Sequence, residues 1–93
     1  MSLNEEIEIF DESGDHSNKG KSWTDEELRL ILEAAPTKAN TLKFAKVFKR
    51  KTGSIAQIYR WAAANDKTIE EKRPNDKFIR QIQRISKELG WIV

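Results

Sequence analysis

The residues best equipped for chemistry run from Lys49 to Ala64. Lys49, Arg50 and Lys51 supply three consecutive cations. Thr52-Gly53 interrupt the preceding pattern, and a short helix follows. Ile55, Ile58, Tyr59 and Ala62 fall at i, i+3, i+4 and i+7, which gives that helix one apolar face. Ser54, Gln57, Arg60 and Trp61 lie on or near the opposite side. Ser54 is suited to cap, because its hydroxyl can accept a hydrogen bond from an unpaired N–H of the first turn. A polar face of Ser, Gln and Arg behind a basic turn carries the groups that a reader of the DNA major groove needs. The rest of the chain is expected to be the scaffold that holds this helix out.

Other chemistries have little support. There is no cysteine, which excludes disulfides and thiolate metal sites, and the single His16 cannot build a zinc site alone. The clustered carboxylates Glu5-Glu6-Glu8 and Asp25-Glu26-Glu27 read as a tail and a helix start. Acid–base catalysis needs carboxylates held across a cleft with displaced pKa values. Gly53 is isolated, so there is no glycine-rich phosphate loop. No enzyme activity, small-molecule substrate, cofactor or metal is expected. No run approaches the roughly 20 apolar residues that span a membrane. The start of the chain lacks the apolar core of a secretory signal. An intracellular setting is expected: cytoplasm or nucleoid in a bacterium or phage, nucleus in a eukaryote. The aromatic platform that would stack single-stranded RNA bases is not evident.

The elements that must position the reading helix follow from length and pattern. A chain of 93 residues suffices for one small domain with a marginal core, so helix packed on helix is expected. The net charge of +2 hides an asymmetry. Residues 1–21 carry six acids against Lys19 and Lys21, a net of −4; residues 22–93 carry fifteen bases and nine acids, a net of +6. Between Glu33 and Asp66 there is no acid, while Lys38, Lys43, Lys46, Lys49, Arg50, Lys51 and Arg60 fall there. Such clustering is the footprint of a polyanion partner. Lys49 to Lys51 also suit the negative end of a helix dipole.

Residues 1–21 are expected to be a disordered acidic tail. It is a solubilising extension, a competitor with DNA for the basic face, or a carrier for docking of Ile7-Ile9-Phe10. Thr24 and Glu27 form a capping box, and Trp23 can staple onto Leu28. Leu28, Ile31, Leu32 and Ala35 then line a helix from about Thr24 to Ala35, stopped by Pro36. Asn40 or Thr41 is expected to cap the next helix, whose apolar face includes Ala45 and Phe48 with Phe44 alongside. The residues from Asn65 to Pro74 read as a polar connection. Asn75 or Asp76 caps a last helix ending near Leu89, with Gly90 just beyond it. Phe78, Ile82, Ile85 and Leu89, widened by Ile79, form its apolar stripe. Trp91-Ile92-Val93 is an apolar terminus that should dock on this domain or on a second copy.

The order of these features resembles a Myb/SANT-type repeat. Trp23-Thr24-Asp25-Glu26-Glu27 is similar to its W-[S/T]-x-E-E opening. Phe44-Ala45-Lys46-Val47-Phe48 resembles its second helix, and Arg50-Lys51-Thr52-Gly53-Ser54-Ile55 the start of its third. The resemblance covers residues 21–64, about half the chain. Thr41 stands near the family's second tryptophan and is not aromatic; Tyr59 stands at the third, with Trp61 two residues on. Trp61 is a displaced core aromatic, a packing partner for the last helix, or a surface contact. The resemblance implies an all-α, three-helix Myb/homeodomain-like helix-turn-helix over 22–64, with double-stranded DNA as partner. Residues 65–93 would add a linker and a C-terminal helix that covers the bundle's open side or forms a homodimer seam. By position, Ala56 and Gln57 would face bases, with Arg60 one turn on. Gln57 can pair with adenine, Arg60 with guanine, and the Ala56 methyl can touch a thymine methyl. Lys46, Lys49, Arg50, Lys51 and Ser54 would lie along phosphates. Some SANT-like domains bind protein tails instead, but those tend to be acidic on the third helix, and Ser54 to Ala64 contain no acid.

Overall fold

Thr24 starts its helix as the sequence predicts. In the computed structural model its Oγ1 accepts the Glu27 N–H at 3.2 Å, and Glu27 Oε1 accepts the Thr24 N–H at 2.9 Å. The structure describes residues 1–91. Ile92 and Val93, part of the terminus expected to dock, lie outside the described residues. The architecture is all-α: α1 (Leu3–Ser13), α2 (Asp25–Glu33), α3 (Lys38–Phe48), α4 (Thr52–Ala63), α5 (Asp66–Lys72) and α6 (Lys77–Glu88). Among the described residues no helix is long and apolar enough to cross a membrane.

α4 is the hub, packing on α2, α3 and α6, while α6 also lies on α2. The common core holds Leu28, Ile31 and Leu32 from α2, Phe44 and Ala45 from α3, and Ile55, Ile58, Tyr59 and Ala62 from α4. Ile82 and Ile85 complete it from α6, with Trp23 beneath the start of α2. The apolar stripe of α6 is therefore covered within the chain, the first of its two expected uses. Polar groups fasten the same seam. Gln83 Nε2 donates to the Trp61 and Ala64 carbonyls, and Gln81 Nε2 to the Trp23 carbonyl and Asp25 Oδ1.

The last carbonyls of a helix have no partner within it. At the end of α2 the Tyr59 hydroxyl donates to the Ile31 carbonyl at 2.8 Å, and Trp91 Nε1 to the Leu32 carbonyl at 2.6 Å. The two rings also stack, 5.8 Å apart. Trp91 thus docks on this domain. Trp61 is half-buried against the core, with its carbonyl held by α6. The fully inward aromatic of α4 is Tyr59.

Four expectations are corrected. Residues 1–21 are not a disordered tail. Ser2 and Glu5 form a capping box, and Leu3, Ile7 and Phe10 share the side of α1 that packs toward α3. His16 Nε2 donates to the Phe10 carbonyl at 2.8 Å, and Asn18 Nδ2 to the Phe48 carbonyl at 2.9 Å. Secondly, residues 65–74 are not a plain linker: Asn65 caps α5 by accepting the Thr68 N–H, and Ile69 is buried. Thirdly, α3 begins earlier than expected, because Thr37 accepts the Asn40 N–H at 3.1 Å. Finally, Ser54 is not a cap. α4 begins at Thr52, so Ser54 lies within its first turn.

Candidate nucleic-acid interface

The connection between α3 and α4 is Lys49-Arg50-Lys51. Lys49 takes the left-handed conformation, φ 56°, which turns the chain sharply as α3 ends. A non-glycine residue there costs about 1–2 kcal/mol. The turn is held by Arg50 N–H donating to the Ala45 carbonyl and by Asn18 N–H donating to the Lys49 carbonyl. α4 then leaves Lys51, whose side chain makes no capping bond. Its first turn is capped from elsewhere: Asp11 Oδ1 accepts the Thr52 N–H at 2.9 Å, and Asp11 Oδ2 accepts the Thr52 hydroxyl at 2.6 Å. A carboxylate at this end also favours the helix dipole.

Beyond that cap, α4 presents a ridge. Gly53, Gln57 and Arg60 are exposed at i, i+4 and i+7, while Ile55, Ile58, Tyr59 and Ala62 are buried beneath. The structure thus brings Gln57 and Arg60 onto one open face, with Lys49 and Lys51 exposed at its entrance. The other expected site residues part from them. Ala56 is half-buried and lines a hollow of about 420 Å³ shared with Asn4 and Ile7 of α1. Lys46 is exposed but lies beside α1, around a hollow of about 280 Å³ with Glu6 and Phe10.

Arg50 differs most from expectation. It is not an open surface clamp, being only 6% exposed. Its guanidinium lies over the Trp23 ring, 4.0 Å from the centroid, a cation–π contact strengthened by exclusion of water. Burial pushes its pKa below the ordinary arginine value, and the Glu27 carboxylate partly offsets that. An arginine remains charged regardless. Its Nε is buried with no hydrogen-bond partner.

Arg50 lines a groove of about 430 Å³ between the residues leading into α2, the first turns of α4 and the start of α6. Ser54 and Gln57 form one wall; Lys21, Ser22, Lys77 and Gln81 form the others. Sequence reasoning missed Lys21 and Lys77 as contributors to this groove, and Asp11 as the cap of α4. Lys21 carried a signal, standing two residues before Trp23. Lys77 was legible only as part of the basic face of the last helix, and Asp11 carried no signal that local spacing reveals. Near the turn, hydrogen bonds from the Ser17 hydroxyl and amide, and then nearby Lys49, hold the Asp15 carboxyl below its usual range.

No solved structure matches the chain. It is 48% identical over 86 residues to the uncharacterized protein PM1205 of Pasteurella multocida (strain Pm70), covering 90% of this chain and 69% of that protein. Residues 17–92 match the family described as the uncharacterised protein PM1205 C-terminal domain, a description that names no Myb or SANT fold. The match takes in α2 to α6, every helix of the common core, and the chain therefore belongs to the PM1205 C-terminal-domain family.

Proposed function

We propose that the chain binds duplex DNA through α3, the turn and α4, as a Myb-like helix-turn-helix serving a small regulator or an accessory protein of DNA transactions. α4 lies in the major groove. Gln57 and Arg60 contact base edges, and Lys49 and Lys51 hold phosphates on either side of the turn. The observation that carries this reading is the exposed Gly53–Gln57–Arg60 ridge behind two open lysines, in an interval without a single acid between Glu33 and Asp66. Gly53 lets a sugar–phosphate backbone approach the first turn closely, since nothing lies within 4 Å of where its Cβ would be.

A gel-shift titration across salt tests the proposal. With about four phosphates neutralised, log affinity falls against log salt with a slope of about −4. Gln57→Ala and Arg60→Ala each remove about 1–3 kcal/mol of discrimination between bases. Lys49→Ala weakens all sequences alike. Failure to shift any duplex at low salt overturns the proposal; equal losses on every sequence for all three variants overturn the base-reading roles.

A further inference from the structure

Arg50 is the one cation of the turn that the α4 ridge does not use. Its guanidinium lies over Trp23, and it makes no hydrogen bond or ion pair among the described residues. Glu27, whose charge it feels, has Oε1 engaged by the Thr24 N–H. A buried charge without a counter-ion is costly, and the cost falls when an anion with hydrogen-bonding oxygens reaches it. The groove that Arg50 lines also carries Lys21 and Lys77, both exposed, and no acid. The hydroxyls of Ser22 and Ser54 on its walls make no hydrogen bond among the described residues. One guanidinium fork, two ammonium groups and two free hydroxyls suit a tetrahedral oxyanion better than an apolar or cationic ligand. The contact with Trp23 holds the guanidinium at the groove before any ligand arrives.

We infer that this groove is a phosphate site, and that its occupant is a backbone phosphate of the duplex docked on α4, an assignment that rests on the DNA reading above. Gln57 belongs to both the ridge and the groove wall. A phosphate seated beside Arg50 therefore flanks the bases that Gln57 contacts, and the site sets the register of α4 in the major groove. Arg50 acts from beneath the surface, while Lys21 and Lys77 close over the phosphate from the α2 and α6 sides.

Two experiments on the intact chain test this. In the first, the double variant Lys21→Ala/Lys77→Ala, both changes at exposed positions, is titrated with duplex DNA. Affinity falls about tenfold on every sequence, and the salt slope becomes shallower by about two. In the second, inorganic phosphate is added at low salt and followed by NMR. The Trp23 indole, the Arg50 Nε–H and the Ser22 and Ser54 amides shift, and Arg50→Lys abolishes those shifts while retaining a folded spectrum. If the double variant binds with unchanged affinity and slope while Gln57→Ala still alters base preference, the DNA reading stands and the phosphate site is overturned. If no duplex binds but phosphate still shifts Arg50 and Trp23, the groove stands as an anion site and the duplex is overturned as its occupant. If neither occurs, both are overturned.

Discussion

The two flanks of α4 carry opposite charge and are organised in opposite ways. On the α1 flank a carboxylate is brought in: Asp11 pairs with the Thr52 amide and hydroxyl at the head of the helix. On the α6 flank a guanidinium is left over: Arg50 lies over Trp23 and lines a groove with no acid in its walls. The first flank meets its electrostatic need within the chain, and the second finds no ion pair among the described residues. The flanks also differ in depth. α6 sends Ile79, Ile82 and Ile85 to buried positions, whereas α1 has no buried residue and is tied on by Asp11, Phe10 and single contacts such as Lys38 Nζ to Asn4 Oδ1. The α6 flank is part of the core. The α1 flank is an acidic cover laid on it. On the proposed DNA reading, an acidic cover beside the basic face of α4 narrows where a polyanion can settle, and directs it toward the turn and the α6 side.

The largest effect expected from this contrast is on stability. Ile82 is fully buried, so Ile82→Ala costs about 2–5 kcal/mol in lost transfer energy and residual cavity. Ile7 is only half-buried on α1, so Ile7→Ala costs about 1 kcal/mol or less. Urea denaturation of the two variants measures both. Equal losses would make α1 a full partner in the core and dissolve the distinction between the flanks.

Asp11 gives the next effect. Thr52 is 7% exposed, so Asp11→Ala leaves a buried N–H and hydroxyl unpaired and costs about 1–3 kcal/mol. Amide exchange over Thr52 to Ile55 quickens as the first turn of α4 frays. Asp11→Asn keeps an acceptor and removes the charge, so duplex affinity rises a few-fold. Lys77→Ala, on the other flank, moves stability by no more than about 0.5 kcal/mol and lowers duplex affinity. The two flanks thus respond to loss of charge with opposite signs. Affinity that falls for both Asp11→Asn and Lys77→Ala would contradict the opposition.

Sequence spacing made one flank legible and hid the other. The α6 stripe follows the helical period from Phe78 to Leu89, and Asp76 and Gly90 bracket it. Asp76 accepts the Ile79 N–H, and Gly90 takes φ +80°. The capping box at Thr24 and the inward face of α4 are equally local patterns. The Asp11–Thr52 pair joins residues 41 apart, and no periodicity announces it. Arg50 read as an exposed clamp because its neighbours are lysines. Its burial depends on a tryptophan from a distant part of the chain. α1 was obscured by its own charge: six acids in residues 1–21 outweigh the Leu3, Ile7, Phe10 stripe in any compositional reading. α5 was obscured in the same way, although Asn65 three residues before Thr68 is a legible N-cap signal. The Gln57–Arg60 ridge was legible as geometry, because the apolar face of α4 fixes what must point outward.

The smallest expected effect separates the flanks by pH. The Arg84 guanidinium and then the Gln81 amide, both from α6, hold the Asp25 carboxyl below its usual range. Arg84 Nη2 reaches its two oxygens at 2.8 and 2.9 Å. On the other flank the Ser17 hydroxyl and amide hold Asp15 low. Asp25 is low in the folded chain and ordinary when unfolded, so its contribution is full above the ordinary aspartate range and fades as pH falls through the folded value. The Asp25 and Arg84 side chains are 37% and 52% exposed, so solvent keeps the contribution small. Asp15 contributes less still. Its partner is two residues away, and a turn that local persists in part in the unfolded chain, which narrows the pKa difference that linkage requires. Acid unfolding followed by circular dichroism therefore shows a flatter slope below about pH 4 for Asp25→Asn, while Asp15→Asn tracks the parent. Equal flattening by both would mean that the loop from Gly14 to Lys21 unfolds in one step with the α2–α6 seam, rather than ahead of it.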